Sequence, residues 1–274
     1  MHLPRRVDLR DGDDLGRIER ALARAGAILR DFSADRVGVR YKGAQSPVTD
    51  ADMAVDDALR AALPRDDEGW LSEESPDDHA RLRHRRVWIV DPLDGTREFL
   101  EGVPEWCVAI GLVQDGVAVA GGVFNPTREE RFLASRETGA TLNGRPISVS
   151  RRATLDGAVV LMNRWALRRA ATQPLPRGIA LRRIGPLCYA LASIAAGRAD
   201  ATWGRSPKAE WDVAAGAALI TAAGGRVLTW DGRPVTFNTP TARIPGLIAT
   251  TATLARALAR ILPHRLGPPI TPRV

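Results

Sequence analysis

The segment Trp88–Gly102, with the sequence WIVDPLDGTREFLEG, decides how the rest of this chain is interpreted. It opens on a short apolar run that includes β-branched residues, which predicts a buried strand. Pro92 and Gly95 break the strand, because neither residue favours a continuing ladder. Asp91 and Asp94 are therefore predicted to lie on a tight turn at its carboxyl end.

Such a turn can direct two carboxylates, three residues apart, into one small space. The two groups repel each other unless a cation holds them, and hard divalent cations such as Mg²⁺ prefer oxygen ligands. The Leu93 carbonyl and the Thr96 hydroxyl supply two further oxygens. For this segment taken alone, a surface Asp-Pro or Asp-Gly turn without a metal is the alternative.

The composition is that of an ordinary globular protein. With 274 residues and 45% apolar content, the chain can bury a large core as one big domain or two fused lobes. We expect no signal peptide, because Met1–Asp14 has no apolar stretch, and no run approaches the roughly 20 apolar residues of a membrane span. Cys107 and Cys188 lie in apolar runs without metal-ligand spacing, which favours reduced core thiols in a cytoplasmic protein.

The chain is basic, with a formal net charge of +7. A basic balance can indicate nucleic-acid binding. Here the positive charge comes almost entirely from scattered arginine, which is more typical of a GC-rich genome than of a nucleic-acid partner. The charge still favours anionic substrates by raising their encounter rate.

The first half, residues 1–150, predicts an α+β lobe with an antiparallel sheet under a helix pair. Helices are expected over Leu15–Leu29, from a cap at Thr49 or Asp50 up to Pro64, and over His79–Arg86. Tyr41–Pro47 is expected to be a polar loop and Asp66–Gly69 a turn. Strands are expected over Trp70–Ser75, Trp106–Val113, Val117–Phe124, Phe132–Ser135 and Ile147–Ser150.

The second half, residues 151–274, alternates strands with helices, which predicts an α/β lobe. Strands are expected over Val159–Met162, Ile179–Ile184, Ala201–Trp203, Val227–Trp230 and Leu247–Thr250. Helices are expected over Leu187–Ala196, Val213–Ala223 and Ala252–Leu262.

Further carboxylates bear on the central turn, each with a structural alternative. Glu73 and Glu74 end a predicted strand, and because side chains alternate along a strand, only one of them should face the metal site. Asp212 stands at the start of a predicted helix, where a helix cap is the alternative. Asp52 lies in the first turn of another helix, where a favourable helix-start charge is the alternative.

The combination of SEE, then DPLDGT, then WDVAAG well downstream resembles the inositol monophosphatase superfamily over nearly the whole chain. That resemblance implies a layered αβαβα sandwich, of mixed α+β and α/β character, as in the inositol monophosphatases and sugar phosphatases. It also implies a Mg²⁺-dependent, typically Li⁺-sensitive phosphomonoesterase that acts on small phosphorylated substrates and is commonly a homodimer. Neither a membrane nor a nucleic-acid partner is expected.

The resemblance assigns the metal ligands of two or three Mg²⁺ ions. Glu73 would hold metal and help to position the attacking water, and Asp91 would bridge two metals. The Leu93 carbonyl would complete the first site, while Asp94 and Asp212 would bind the second ion.

The resemblance also assigns the groups around the metals. Thr96 would hydrogen-bond the attacking water, and Asp52 would support the site from outside or hold a third ion. The backbone N–H groups of Gly95 and Thr96 would face the phosphate. Gly185 and Asp212 are expected among the substrate contacts.

The motifs resemble superfamily members that act on different substrates. The REF after the core motif and the KAEWD before Asp212 resemble 3'(2'),5'-bisphosphate nucleotidases of the CysQ type. Arg205 stands where the inositol enzymes carry a glutamate that grips inositol hydroxyls, and Arg can hold a second phosphate bidentately. Lys208 would add a second cation. The GVPEW segment instead resembles inositol- and histidinol-phosphate phosphatases, and a surface role for Arg205 and Lys208 is the structural alternative.

Other classes of function are less well supported. The chain has no GxSxG and no P-loop, and its four histidines are spread without ligand spacing, which argues against hydrolase triads and kinases. A basic, non-catalytic RNA- or protein-binding module on the same fold is the remaining alternative. An intact set of carboxylates argues against it, because a retired active site would be expected to lose them.

Overall fold

The computed structural model describes residues 11–42, 46–170 and 175–270. The helices in these ranges are α1 (Asp11–Leu29), α2 (Asp50–Ala62), a short 3₁₀ helix (Ala80–Arg83), α3 (Thr96–Leu100), α4 (Arg164–Ala170), α5 (Leu187–Ala195), α6 (Ala214–Ala222) and α7 (Ala252–Leu266). The strands are β1 (Val39–Lys42), β2 (Ser46–Thr49), β3 (Glu68–Ser72), β4 (Arg86–Asp94), β5 (Cys107–Gln114), β6 (Val117–Asn125), β7 (Glu130–Ser135), β8 (Gly139–Leu142), β9 (Arg145–Pro146), β10 (Val159–Met162), β11 (Ala180–Arg183), β12 (Ala201–Gly204), β13 (Lys208–Ala209), β14 (Gly225–Thr229), β15 (Arg243–Ile244) and β16 (Leu247–Thr251).

The larger sheet has seven strands in the order β3-β4-β5-β6-β7-β8-β9. Strand β4 carries the DPLD sequence, runs parallel to β3 and lies antiparallel to β5. Its register with β5 shifts between Asp91 and Asp94. Pro92 accounts for the break, because it has no amide hydrogen to donate to the ladder. Pairing resumes at Asp94, opposite Cys107, so the two aspartates flank the irregularity.

Helices α1 and α2 cover the outer face of this sheet over a buried apolar cluster. A buried ionic network joins them to the strands. The Arg17 guanidinium reaches Glu68 at 2.6 Å, and Arg86 donates to Asp14 at 2.6 Å and to Glu68 at 3.1 Å. Trp88 donates its indole N–H to the same Glu68 carboxylate at 2.8 Å. This network fixes α1 against β3 and β4.

The smaller sheet has five strands in the order β11-β10-β12-β16-β14. Strand β10 runs parallel to β11 and β12, whereas β16 is antiparallel to both β12 and β14. Helices α5 and α6 share the largest apolar cluster with residues of both sheets, and α7 packs on the other side of the smaller sheet. The layers are therefore α, β, α, β and α, which confirms the predicted sandwich.

Glycines set how closely α6 approaches the larger sheet. A Cβ on Gly111 would lie 2.7 Å from the Ala214 Cβ, and one on Gly121 would lie 2.7 Å from the Ala215 carbonyl oxygen. No other residue fits at those distances, so glycine in β5 and β6 faces small alanines on α6. This contact places the start of α6 beside the end of β4.

The structure corrects several local predictions. The predicted loop Tyr41–Pro47 contributes instead to the antiparallel pair β1 and β2, with residues 43–45 outside the described ranges. The predicted helix His79–Arg86 is only the short 3₁₀ helix, because β4 already begins at Arg86 and pairs with β3.

Two strand predictions also need correction. The segment Ile147–Ser150 forms no strand; Ile147 donates to Ala140 O at 2.9 Å while Val149 donates to Ala223 O at 3.0 Å, so no ladder continues. Strand β3 begins at Glu68, inside the predicted turn, because pairing with β4 extends it, and it ends at Ser72 rather than Ser75. The lobe boundary at residue 150 stays a prediction.

No helix in the described part of the chain combines the length and apolar character needed to span a bilayer.

Candidate active site

Three carboxylates from separate parts of the chain meet at one edge of the larger sheet. Oxygen atoms of Glu73, Asp91 and Asp212 all lie within 4.8 Å of one another. Glu73 follows β3 and Asp91 lies near the end of β4, and parallel neighbours bring their carboxyl ends to the same edge. The Glu73 N–H donates to Val90 O at 3.3 Å, which fixes the loop after β3.

Asp94 extends this cluster towards α5. One oxygen each of Asp91 and Asp94 lies within 4.8 Å of the other and of the Cys188 Sγ. The Asp94 Oδ2 accepts a hydrogen bond from the backbone N–H of Cys188 at 2.6 Å. The Cys188 thiol itself donates to the Asp212 carbonyl at 3.2 Å. Burial, followed by the charge of Asp94, raises the pKa of this thiol well above its usual value, so it stays protonated.

Burial and mutual repulsion raise the pKa values of the clustered acids. Burial and then the charges of Glu73, Asp94 and Asp212 raise the pKa of Asp91 well above its usual range. Burial and the charge of Asp212 do the same for Asp94. Burial raises the pKa of Asp212 to about 6, against the opposing charges of Lys208 and Arg243. Without a counter-cation, the site resists full ionisation.

The donor set fits a hard divalent cation. The convergent groups are carboxylate oxygens, and the one thiol beside them keeps its proton. Oxygen-rich sites of this kind suit Mg²⁺ or Ca²⁺ rather than softer metals. A bound cation would also relieve the repulsion that raises the carboxylate pKa values. The convergence of carboxylate oxygens from several segments distinguishes this site from an ordinary surface Asp-Pro or Asp-Gly turn.

Thr96 connects the turn to α2. Its hydroxyl lies 3.0 Å from Asp52 Oδ1 and 3.1 Å from the Leu93 carbonyl oxygen. Both of these oxygens are acceptors, so the single hydroxyl hydrogen is used on that side. The remaining capacity of the Thr96 oxygen is to accept a hydrogen bond. Leu93 is tied in as well, since its N–H donates to Asp91 Oδ1 at 3.1 Å.

Asp52 caps α2 and also contacts Thr96. In a capping box at the start of α2, its Oδ2 accepts from the Thr49 N–H at 2.7 Å while the Thr49 side chain accepts from the Asp52 N–H. Its Oδ1 faces Thr96. Burial raises the pKa of Asp52, and the hydrogen bonds from Thr49 and Thr96 oppose that rise. The helix cap therefore also holds the Thr96 hydroxyl.

Gly95 precedes α3, whose first residue is Thr96. Gly95 has a φ of 98°, in the left-handed region that glycine adopts without strain. A Cβ there would also lie 2.7 Å from Pro186 Cγ. The turn is thus packed directly against the segment that leads into α5.

The predicted substrate residues Gly185, Arg205 and Lys208 line one cavity of about 180 Å³. Arg169 lines it too, and among the described residues its lining includes no aspartate or glutamate. Burial lowers the pKa of Lys208, with the charge of Asp212 opposing and that of Arg169 reinforcing the effect. Pro186, which packs against Gly95, also lines the cavity, so the cavity adjoins the DPLD turn. Arg205 donates its Nε–H to the Pro268 carbonyl at 2.9 Å, which ties it to the segment after α7.

Sequence reasoning missed the residues that support the site. Asp56 is buried on α2 and accepts from Ser72 and from Ser75, each at 2.5 Å. These two bonds bracket the loop that carries Glu73. The spacing of four between Asp52 and Asp56 places both on one helix face and was a usable signal. Nothing local indicated that Arg169 or Trp165 lines the cavity.

Comparison with known proteins bears directly on this arrangement. A model of the inositol monophosphatase family matches residues 13–263. The Nus factor SuhB of Xylella fastidiosa is 37% identical over 190 residues, which cover 66% of this chain and 67% of that protein. The inositol-1-monophosphatase of Mesorhizobium japonicum is 34% identical over 227 residues, 78% of this chain and 84% of that protein.

Solved structures also superpose on this chain. The extragenic suppressor protein suhB of Bartonella henselae superposes with a TM-score of 0.76 at 31% identity, over 90% of this chain and 96% of that one. CysQ of Bacteroides thetaiotaomicron, a bacterial member of the same family, gives a TM-score of 0.72 at 25% identity, over 89% and 99%.

The five-layered fold and its clustered carboxylates are thus those of a class of phosphoric monoester hydrolases that depend on metal ions and act on small phosphorylated substrates. Within that class, the chain belongs to the inositol monophosphatase family, as the sequence motifs implied.

Proposed function

We propose that this protein is a Mg²⁺-dependent phosphomonoesterase whose substrate carries a second anionic group beside the phosphate that is removed. A 3'(2'),5'-bisphosphate nucleotide is the first candidate. The observation that carries the proposal is the cavity next to the carboxylate cluster, lined by Arg169, Arg205 and Lys208 with no carboxylate among its described lining residues. A cyclitol with only hydroxyl groups would gain little from three cations.

Two or three Mg²⁺ ions would be held by Glu73, Asp91, Asp94, Asp212 and the Leu93 carbonyl, with Asp52 supporting them or holding the third. Bound there, the metal supplies a water molecule of lowered pKa and neutralises phosphate charge. The raised pKa values of the three aspartates support this assignment, because ionised carboxylates need a cation in this setting.

The protein's own groups would orient the reaction. Thr96 uses its hydrogen towards Asp52 or Leu93, so it can accept a hydrogen bond from the attacking water and fix its orientation. Glu73 would hold the same water from the opposite loop. The backbone N–H groups of Gly95 and Thr96 would face the phosphate, and Gly185 would contact the leaving group. Lys208, beside Asp212, would face the second anion.

The relatives' names favour a second candidate substrate. Several relatives are named inositol-1-monophosphatase, so inositol 1-phosphate is the alternative within the family. Histidinol phosphate is a further alternative, because of the GVPEW segment. Arg205, where the inositol enzymes carry a glutamate, favours the bisphosphate.

A screen of phosphate release with Mg²⁺ tests the proposal. The substrates are adenosine 3',5'-bisphosphate, inositol 1-phosphate, histidinol phosphate and fructose 1,6-bisphosphate. We expect the highest kcat/KM on adenosine 3',5'-bisphosphate and none in excess EDTA. A clear preference for inositol 1-phosphate would replace the nucleotidase assignment with the inositol one.

The name Nus factor, carried by two of the relatives, favours testing a non-catalytic function too. In that case the basic chain would bind RNA or a protein. Retention of RNA on a filter, without any Mg²⁺-dependent phosphate release, would support this function.

We further propose a cytoplasmic homodimer. The free, buried thiols of Cys107 and Cys188 suit a reducing compartment. The dimer rests on the family resemblance and is tested by sedimentation.

A further inference from the structure

Helix α4 forms the outer wall of the cationic cavity. Asn163 begins this helix, since its side-chain oxygen accepts from the Ala166 N–H at 2.8 Å. Trp165 and Arg169 both line the cavity and stand one turn apart on α4. The helix therefore presents an aromatic ring and a cation side by side at the rim.

Cations and an aromatic ring line this one cavity together. Lys208 and Arg169 both line it, and Trp165 stands one turn before Arg169 on the same helix. The cavity therefore combines positive charge with an exposed aromatic ring.

Trp165 is unusual for a surface residue. It is 56% exposed, although tryptophan normally buries most of its large apolar area. The guanidinium carbons of Arg164 and Arg168 lie 5.7 Å and 5.4 Å from its ring centroid. Such contacts restrain the ring. Of the large apolar side chains that are exposed in the described part of the chain, Trp165 is the one that lines this cavity.

We propose that Trp165 stacks on the heterocyclic base of the substrate and makes this cavity selective for nucleotides over sugar and cyclitol phosphates. The inference rests on the proposed bisphosphate phosphatase function and assigns a binding group to the third part of the substrate, its base. The carboxylate cluster takes the phosphate that is removed, the cations take the second phosphate, and the ring takes the base. Stacking of this kind tolerates different bases, because every base offers a π-face.

The test compares two substrates that differ only in the base. Adenosine 3',5'-bisphosphate is matched with 1-deoxyribose 3,5-bisphosphate, which has hydrogen in place of adenine. For Trp165→Ala, we expect kcat/KM on the nucleotide to fall about tenfold, equivalent to about 1.4 kcal/mol, mainly through KM. The same variant should change kcat/KM on the base-free substrate less than about twofold. Trp165→Phe should retain most of the nucleotide activity, because a smaller ring still stacks.

The wild type provides a second measurement that needs no variant, since it should prefer the nucleotide over the base-free analogue by about tenfold or more. Leu82→Ala truncates an exposed apolar residue outside the cavity and is the matched control. It should leave kcat/KM unchanged on both substrates. Equal losses on both substrates in Trp165→Ala, or no wild-type preference, would overturn the stacking role alone. A wild type that does not cleave bisphosphates at all would overturn the proposed function first, and the stacking role with it.

Discussion

Asp94 accepts a 2.6 Å hydrogen bond from the backbone N–H of Cys188, so a carboxylate at the end of β4 also caps the start of α5. One residue thereby joins the larger sheet to the helix layer between the sheets. The charge of Asp94 is repelled by Asp212 and stabilised by this N–H, and burial with the repulsion dominates. This double role makes Asp94 the most informative position for mutation.

Asp94→Asn should leave the fold intact and lower phosphatase activity more than about 100-fold, because a proposed metal ligand loses its charge. The amide oxygen can still accept from Cys188. The measurements are Mg²⁺-dependent phosphate release and circular dichroism. Asp57→Asn, an exposed change on α2, is the control. Full activity of Asp94→Asn would contradict the assignment of this residue as a ligand.

Thr96→Ala should lower kcat by roughly 10²-fold with a smaller change in KM, because it removes the proposed orienting acceptor of the attacking water and no proposed metal ligand. Thr96→Ser keeps the hydroxyl between Asp52 and Leu93 and should recover most of the rate. Steady-state kinetics at saturating Mg²⁺ separate the two parameters. A Ser variant as slow as the Ala variant would show that the hydroxyl is not the group that matters.

The metal-free protein should become less stable as the pH rises from about 4 to about 6. Asp91, Asp94 and Asp212 have pKa values in the folded state above the usual value of 3.8, to about 6 for Asp212. The folded state therefore binds more protons than the unfolded state in this window, so the free energy of unfolding falls as the pH increases. Urea unfolding in EDTA measures the trend.

Added Mg²⁺ should reverse that loss of stability at neutral pH and release protons when it binds. Calorimetric titration with Mg²⁺ in buffers of different ionisation enthalpy detects the released protons. Binding without proton release at pH 6 would mean that the carboxylates are already ionised in the metal-free protein.

Glu68→Gln should destabilise the fold by roughly 3 kcal/mol, because Arg17 and Arg86 would lose their shared buried counter-charge. Burial opposes ionisation of Glu68, but hydrogen bonds from Arg17, Trp88 and Arg86 lower its pKa from 4.5 to about 2. The stabilisation is fully present above pH 4.5 and is lost as the pH falls towards 2. Urea unfolding should thus show the wild type and the variant converging in acid, with exposed Glu137→Gln as control.

Arg205→Ala and Lys208→Met should each lower kcat/KM on adenosine 3',5'-bisphosphate about tenfold and barely affect inositol 1-phosphate. The physical reason is that only the bisphosphate has a second anion for these cations. Lys208 should show the larger effect, since Arg205 is partly engaged by the Pro268 carbonyl. Arg256→Ala, exposed on α7, is the control. Equal effects on both substrates would mean that these cations do not bind the second anion of the bisphosphate.

Local sequence determined the central turn. The apolar run before Asp91 specifies a buried strand, and Pro92 ends its regular pairing because it lacks an N–H group. The spacing from Thr49 to Asp52 specifies the capping box that starts α2. Both patterns depend on neighbours within a few residues, and a sequence displays such neighbours directly. The sequence does not display the pairing between β3 and β4 in this way. For that reason, the predicted bounds of β3 and the predicted helix over His79–Arg86 were wrong.

Only the tertiary structure decided what gathers around that turn. Asp212 reaches Asp91 because glycines in β5 and β6 let α6 pack directly on the sheet, and that depends on contacts between distant segments. The lowered pKa of Lys208 follows from burial and the charge of Arg169, against the opposing charge of Asp212, and no local pattern encodes these surroundings. Trp165 is exposed on a short helix, and its place at the cavity follows from how α4 packs near the segments around Gly185 and Arg205. Side-chain convergence is set by packing, so the sequence supplied the reactive groups and the fold supplied their arrangement.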